Sequence, residues 1–246
     1  MKRKSLIVLL MIGLLLIALG TVAYGKTYVV GTSADFPPFE YKEDGEFVGF
    51  DMDLIRAIAD AQGIDIEIKD MSFDSLIAAL KSGNLDIVIA GMTITPEREQ
   101  NVDFSNPYYT ADQSIIVKDD SDKNLTVLYG DNRLGVQTST TGDIWVTDNL
   151  EKPGILTGEV VRYDTFVLAV TDLINGNLDA IVLDSPVAER FVKIRPVKIV
   201  GYIITGEEYG IAVSEGNEEL LKQINEGIEK VIESGKMDEL IGTYFK

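Results

Sequence analysis

The hydrophobic and polar positions of this chain alternate in a way that predicts short strands separated by amphipathic helices. Residues 27–31 form an apolar run typical of a strand, and residues 51–62 carry apolar positions at helical spacing. Residues 64–69 alternate between apolar and polar and predict a second strand, and a further helix is expected over 72–83. This order of strands and helices predicts a parallel α/β lobe.

One helix–strand unit occurs twice in the chain. Residues 80–90 (LKSGNLDIVIA) and 173–183 (LINGNLDAIVL) each end a helix with Gly, pass through Asn-Leu-Asp and enter a short apolar strand. Different polar loops follow the two strands. Strands at 134–139 and 160–163 and a helix at 166–174 complete a second unit like the first. The repeat therefore predicts two similar α/β lobes that face one another.

Two crossings between the lobes are expected, at the apolar segments 113–118 and 209–213. A helical pair over 218–245 is placed on the first lobe. Each lobe should be a mainly parallel sheet flanked by helices, and two hinge strands would permit closure without free tumbling. The predicted division is 26–115 and 210–246 for lobe 1, and 116–209 for lobe 2.

The first 25 residues have the pattern of an export leader. A basic start is followed by a long apolar run and by small residues before Lys26. We expect cleavage after Gly25 and a location in the periplasm or on the outer face of the cytoplasmic membrane. An uncleaved leader acting as a membrane anchor is the alternative, because the apolar run is long enough to span a bilayer.

Composition narrows the possible chemistry. The 246 residues include no His and no Cys, which excludes His-based catalytic triads and zinc sites built from His or Cys. We predict no cofactor and no metal. The formal net charge of −18 makes nucleic acid an unsuitable partner, since phosphate contacts need basic surfaces.

A cation and an anion follow the two repeated strands. Ligands of open α/β sheets bind beyond the carboxyl ends of the strands, where Arg98 belongs to the first copy and Asp184 to the second. An arginine can bind a carboxylate through two parallel hydrogen bonds, and the Thr140–Thr141 turn offers backbone N–H groups at a helix start. The arrangement suits a zwitterion held between the lobes. The alternatives are a solvated Arg98 and an Asp184 that only caps a helix beginning at Ser185.

Aromatic and acidic side chains are expected on the other side of the cleft. Phe36 lies between Asp35 and a proline, which gives it less reason to be buried than Phe73 and favours it as a stacking surface. Aromatic faces beside Asp35 or Glu40 would suit a cationic side chain, especially a planar guanidinium. Both acids could instead be ordinary solvated loop charges.

These motifs together resemble the polar amino-acid-binding proteins of ABC importers, solute-binding protein family 3. The matching segments are FPPFE at 36–40, GFDMDL at 49–54, GMTITPER at 91–98, DFS at 103–105, TTG at 140–142 and LD at 183–184. The resemblance implies a two-lobed protein that closes on a free amino acid and delivers it to permease subunits. It also implies that Gly91, Thr93, Arg98 and Thr141 hold the α-carboxylate and α-ammonium groups, with Asp184 on the ammonium.

The resemblance also orders the candidate ligands. Basic-amino-acid binders often carry Asp where this chain has Ser33, which counts against lysine or ornithine. The segments 33–40 and 140–143 look most like those of arginine-binding members, so arginine is favoured, then glutamine through Ser33 and Gln137, then lysine or histidine. A cyclohexadienyl-dehydratase-like enzyme using Asp35 or Glu40 as general acid, and the ligand-binding domain of a sensor, are the alternatives to a binding protein. The predicted ligand-binding residues are Ser33, Asp35, Phe36, Glu40, Phe73, Ala90, Gly91, Met92, Thr93, Arg98, Gln137, Thr140, Thr141 and Asp184.

Overall fold

The structure is a computed structural model that describes residues 26–245. The predicted leader lies outside these residues. In chain order the strands are β1 Thr27–Thr32, β2 Asp35–Phe36, β3 Glu40–Glu43, β4 Glu46–Val48, β5 Asp65–Asp70, β6 Ile87–Val88, β7 Val102–Phe104, β8 Tyr109–Lys118, β9 Arg133–Gln137, β10 Glu159–Tyr163, β11 Ala180–Asp184, β12 Val197–Tyr209 and β13 Ala212–Ser214. The α-helices are α1 Phe50–Gln62, α2 Leu76–Lys81, α3 Pro96–Glu99, α4 Thr141–Val146, α5 Phe166–Ile174, α6 Ser185–Ile194, α7 Glu218–Glu233 and α8 Lys236–Tyr244.

Two five-stranded sheets form the two lobes. The first has the order β5-β1-β6-β13-β7, with β5, β1 and β6 parallel and β13 antiparallel to both of its neighbours. The second has the order β10-β9-β11-β8-β12, with β10, β9 and β11 parallel. Helices α7 and α8 pack against α1, as the sequence predicted for the helical pair. Among residues 26–245, no helix is long and apolar enough to cross a membrane.

The hinge consists of two long strands that pair with each other. Strand β8 runs antiparallel to β12, from Tyr109 opposite Tyr209 to Lys118 opposite Val197. All of β8 therefore belongs to the second sheet, and the predicted lobe boundary at 115/116 falls within this strand.

The repeated Asn-Leu-Asp turn makes the same contact in each lobe. The Asp86 carboxylate accepts a hydrogen bond of 2.8 Å from the backbone N–H of Val29, and the Asp179 carboxylate accepts one of 2.7 Å from Arg133 N–H. In both cases the carboxylate satisfies a backbone donor near the start of the lobe's first parallel strand. The repeat therefore has a structural role: its Asp holds the helix–strand turn against the neighbouring strand by a hydrogen bond.

The leucine of each turn packs on a glycine of that same strand. A methyl group added to Gly31 would overlap the Leu85 side chain, and one added to Gly135 would come within 2.5 Å of Leu178 Cδ1. Both leucines are buried. The paired glycines let the turn approach its strand closely in each lobe.

The helix expected over 72–83 is shorter than predicted. A 3₁₀ turn spans Phe73–Ser75, and α2 covers only Leu76–Lys81. The Ser72 and Ser75 hydroxyls are 2.8 Å apart, and short polar side chains of this kind favour turns over helix interiors.

Candidate functional site

A cavity lies between the lobes where strands from both sheets end. The space free of protein atoms here is about 300 Å³, part of which is open to solvent. Its wall comes from the residues that follow β1 and β6 in lobe 1, and β9 and β11 in lobe 2. It is lined by Ser33, Asp35, Phe36, Glu40, Phe73, Ala90, Gly91, Thr93, Arg98, Gln137, Thr140, Thr141 and Asp184.

Met92 is the one predicted site residue outside this lining. Its side chain is buried in the core of lobe 1 and borders a neighbouring groove instead. Its sequence neighbours Gly91 and Thr93 line the cavity on either side of it. A part for Met92 in ligand binding stays a prediction.

Arg98 is buried at the boundary between the lobes. Helix α3 begins beside it, with the Thr95 side chain accepting the Arg98 backbone N–H at 3.2 Å. The guanidinium donates to Thr93 O at 2.6 Å in lobe 1 and to Ser139 O at 3.1 Å in lobe 2. Its central carbon lies 5.3 Å from the centre of the Phe73 ring. The alternative of a solvated arginine is therefore wrong, and Phe73 supports Arg98 with one face.

The Arg98 charge is kept in a dry environment. Burial lowers the pKa of this guanidinium, and the nearby carboxylates of Asp184 and Glu207 oppose that shift. Arginine carries five N–H donors, and the two hydrogen bonds to carbonyl groups leave others for a carboxylate.

Asp184 faces the cavity from the second lobe. It stands at the N-cap position of α6, but its side chain makes no capping hydrogen bond. One carboxylate oxygen instead accepts the hydroxyl of Tyr209, a buried residue at the end of β12. Burial, followed by repulsion from Glu207, raises the pKa of Asp184 to about 7. The capping alternative is not what the side chain does.

The turn after β9 is held by its own side chains. Thr140 caps α4 by accepting the Asp143 N–H at 3.2 Å, and its hydroxyl donates to Gln137 O at 2.8 Å. The Gln137 amide donates to Asp164 O at 2.8 Å. The predicted helix start is confirmed, and the Gln137 amide nitrogen is engaged with the backbone.

A buried acid forms the other end of the cavity. Glu40 is fully buried, and neither carboxyl oxygen has a hydrogen-bond partner within residues 26–245. Burial, followed by repulsion from Asp51, raises the pKa of Glu40 well above its ordinary value. Asp51 itself accepts hydrogen bonds from Gly91 N–H at 2.8 Å and from the Tyr108 hydroxyl at 2.7 Å. The alternative of a solvated loop charge is wrong for Glu40.

Asp35 adds a second acidic group to this end. One of its oxygens accepts the Ser33 hydroxyl at 2.9 Å, and the other is buried without a partner in the described part of the chain. Burial is the main reason that the pKa of Asp35 rises to about 6. Across residues 26–245, no group of three or more acidic side chains is arranged to hold a metal ion.

Phe36 is more buried than the sequence suggested. Only 7% of it is exposed, because its ring packs 5.8 Å from Phe39 in lobe 1 and 5.8 Å from Phe166 in lobe 2. A methyl group on Gly91, at φ 51°, would come within 2.7 Å of the Phe36 ring. The expectation of a poorly buried Phe36 was wrong; its ring lines the cavity as part of an aromatic contact between the lobes.

Glu207 and Tyr209 are buried polar residues beside the cavity that the sequence prediction missed. Glu207 accepts hydrogen bonds from the Thr93 hydroxyl at 2.8 Å and the Thr141 hydroxyl at 2.5 Å. Gln113 donates to its other oxygen at 3.1 Å. The signal that could have found them is their i, i+2 spacing, which places both side chains on one face of a strand.

A sequence model of a known family matches almost all of the described chain. The family is the bacterial extracellular solute-binding proteins, family 3, and the match covers residues 28–246. The chain belongs to this family. The resemblance stated from the motifs is confirmed, and the two-lobed fold is that of a solute-binding protein.

Curated relatives of this family-3 protein are named as binding proteins. A probable histidine-binding protein of Neisseria gonorrhoeae is 40% identical over 230 residues, which cover 90% of this chain and 84% of the relative. The arginine-binding extracellular protein ArtP of Bacillus subtilis is 36% identical over 231 residues, which cover 92% of this chain and 89% of the relative.

Solved structures of family-3 proteins share the fold. An ancestral arginine-binding protein bound to arginine is 45% identical with a TM-score of 0.83, covering 89% of this chain and 98% of that one. The ancestral protein bound to glutamine is also 45% identical, with a TM-score of 0.82 over 89% and 97%. An ancestral amino acid-binding protein described as a precursor of cyclohexadienyl dehydratase is 36% identical, with a TM-score of 0.80 over 89% and 95%.

Proposed function

We propose that this protein captures a free polar amino acid by hinge closure and delivers it to the permease subunits of an ABC importer. Arginine is the preferred ligand, followed by glutamine and then by lysine or histidine. The α-carboxylate is assigned to Arg98 and to the turn at Thr141. The α-ammonium is assigned to Asp184, with Thr93 and Gly91 beside it.

The observation that carries the ligand assignment is the buried Glu40 carboxyl group. A buried polar group without a hydrogen bond costs on the order of 1–3 kcal/mol, and more when it is charged. Both oxygens of Glu40 lack a partner among the residues described, although Glu40 lines the same cavity as Arg98. A guanidinium at this position would favour loss of the Glu40 proton and would donate two parallel hydrogen bonds to the resulting carboxylate.

The relatives support a cationic or polar amino acid. One is named for arginine and one for histidine, and the ancestral structures hold arginine in one case and glutamine in the other. The aromatic rings of Phe36 and Phe73 add apolar surface on which a planar side chain can lie. Glutamine would satisfy Glu40 less fully, because its amide is neutral and has only two N–H donors.

Export and handover complete the proposal. The leader directs the protein across the cytoplasmic membrane, to the periplasm or the outer face of that membrane. The closed form is then recognised by permease subunits, with a membrane attachment only if the leader is retained. No cofactor and no nucleic acid take part.

Calorimetric titration of protein stripped of ligand tests the assignment. We expect one-to-one binding of arginine at least about tenfold tighter than that of glutamine. Glu40→Gln should weaken arginine binding about tenfold or more, because a charge-assisted pair is lost, and should change glutamine binding by less than about threefold. Glu43→Gln, the same change at an exposed position of the same strand, is the matched control.

Equal losses for arginine and glutamine in Glu40→Gln would remove Glu40 from the ligand pocket. Glutamine binding tighter than arginine in the wild type would overturn the preference. Binding of no amino acid at all would overturn the proposed function itself.

A dehydratase is the second candidate, because one structural neighbour is described as a precursor of that enzyme and because two buried acids line the cavity. Such an enzyme needs a protonated carboxyl group as general acid, and burial raises the pKa of both Asp35 and Glu40. We expect no turnover of a cyclohexadienyl acid when the reaction is followed by its aromatic product. Turnover above the buffer rate that is lost in Glu40→Gln would establish the enzyme instead.

A further inference from the structure

Glu207 sits at the point where the hinge meets both lobes. Strand β12 is irregular between Ile203 and Glu207, and the backbone N–H groups of Thr205 and Gly206 both donate to Asp112 at 2.9 Å. This bulge returns Glu207 to pairing opposite Ala111 of β8. The side chain is 9% exposed, so its carboxylate is largely removed from water.

One oxygen of this carboxylate joins side chains from the two lobes. Glu207 Oε2 accepts the Thr93 hydroxyl of lobe 1 at 2.8 Å and the Thr141 hydroxyl of lobe 2 at 2.5 Å. Gln113 of the hinge donates to Oε1 at 3.1 Å. Two hydroxyls from opposite lobes can share an acceptor only when the lobes are close together.

We propose that Glu207 is an interlobe latch that stabilises the closed form and positions two residues of the amino-acid site. The proposal rests on the proposed function for the ligand, but the bridge between the lobes is a property of the protein itself. A charged acceptor forms stronger hydrogen bonds than a neutral one, and low exposure limits competition from water.

The latch also determines how the two threonines can act. A hydroxyl has one proton, and each of these protons is donated to Glu207. Thr93 and Thr141 side chains can then only accept hydrogen bonds from a ligand, which suits an ammonium group. The ligand carboxylate is left to Arg98 and to backbone N–H groups. Glu207 is thus a positioning residue: it makes both threonine hydroxyls hydrogen-bond acceptors toward the ligand.

The test compares Glu207→Gln with Glu208→Gln, the same change at the adjacent exposed residue. A pair of spin labels reports the separation of the lobes, at Asp74→Cys in lobe 1 and Asp148→Cys in lobe 2. These exposed positions lie on opposite sides of one interlobe groove, and the chain has no native Cys to interfere. The distance between the labels is measured by pulsed electron paramagnetic resonance, without ligand and with saturating arginine. The rates of arginine binding and release are measured by stopped flow.

We expect Glu207→Gln to move the ligand-free distance distribution to longer values and to weaken arginine binding about tenfold or more, mainly through faster dissociation. Its amide oxygen can still accept both hydroxyls but carries no negative charge, and its NH2 group then faces the NH2 group of Gln113, which loses its acceptor. Glu208→Gln should leave the distances unchanged and arginine affinity within about twofold. Glu207→Asp keeps the charge but shortens the side chain, so it should show the same loss of closure.

The latch is overturned if the distances in Glu207→Gln match those in Glu208→Gln and the affinities agree within about twofold. If Glu207→Gln fails to fold, wild-type distances and dissociation rates in Glu207→Asp overturn it. A wild-type protein that binds no amino acid contradicts the proposed function, and the ligand-free distances still decide the latch independently.

Discussion

Asp35, Glu40 and Asp184 are three carboxyl groups that the fold removes from water, and burial is the first cause of the raised pKa of each. In the folded protein they bind protons at pH values where the unfolded chain has already lost them. Their contribution to stability is therefore present at low pH and is lost as the pH rises through about 6 for Asp35 and about 7 for Asp184. A bound cationic ligand offsets this loss of stability at higher pH, because it stabilises the ionised carboxylates.

Arginine affinity should consequently rise with pH between about 5 and 8. Asp184, with a pKa of about 7, has to lose its proton before it can pair with an ammonium group. One released proton changes affinity by at most about tenfold per pH unit. Titrations in buffers of different ionisation enthalpy measure the released protons directly.

Asp184→Asn is the control for this pH dependence. It should bind arginine more weakly. Its arginine affinity should no longer rise with pH near pH 7, and only the rise near pH 6 that comes from Asp35 should remain. An affinity that is flat with pH in the wild type, or a slope near pH 7 that survives in Asp184→Asn, would contradict the assignment of Asp184.

At the scale of elements, the repeated Asn-Leu-Asp turn makes the same stabilising contacts in both lobes. Asp86 and Asp179 each satisfy a backbone N–H near the start of a parallel strand, and the preceding leucines pack on Gly31 and Gly135. The turn places the end of a helix beside the strand whose carboxyl end reaches the cavity. The repeat thus positions Gly91 in one lobe and Asp184 in the other.

Asp86→Ala and Asp179→Ala should each lower the free energy of unfolding by about 1–3 kcal/mol, because a backbone donor loses its acceptor. Urea denaturation measures this loss. Asp86→Asn and Asp179→Asn, which keep an acceptor oxygen, should recover at least half of it. Asp238→Ala, at an exposed position of α8, is the control and should change stability by less than about 0.5 kcal/mol. Losses no larger than this control would show that the turn does not depend on the carboxylate.

At the scale of the whole molecule, closure brings lobe 2 against the segment that follows β6. A groove beside the cavity is lined by Thr93 and Pro96 from lobe 1 and by Ile144 and Trp145 from lobe 2. Trp145 is half-buried and is the single tryptophan of the chain. Its surroundings therefore report on the distance between the lobes.

Arginine should shift the fluorescence emission of Trp145 to shorter wavelength, because closure removes water from the indole ring. The change should saturate at one ligand per protein and should be absent in Trp145→Phe, which must still bind arginine by calorimetry. Unchanged emission at saturating arginine in the wild type would contradict closure over this groove.

Much of the site could be predicted from the sequence because its residues follow strands in a repeated unit. The exits of β1, β6, β9 and β11 carry Ser33, Gly91, Thr140 and Asp184, and strand order alone brings these exits to one cleft. Met92 lies outside the lining although both of its sequence neighbours line the cavity, because its side chain packs into the core of lobe 1. Phe36 was judged too exposed because its partner Phe166 lies 130 residues away in the other lobe.

The sequence by itself determined the two α/β lobes, the repeated turn and the family, since periodicity and motif order are local properties of the chain. Only the tertiary structure decided which polar groups are buried and what they contact. The pairing of β8 with β12, the unpartnered Glu40 and the Glu207 bridge all depend on strands or loops distant in sequence. Burial and charge pairing arise only when these segments pack together, and they determine what the cavity can bind.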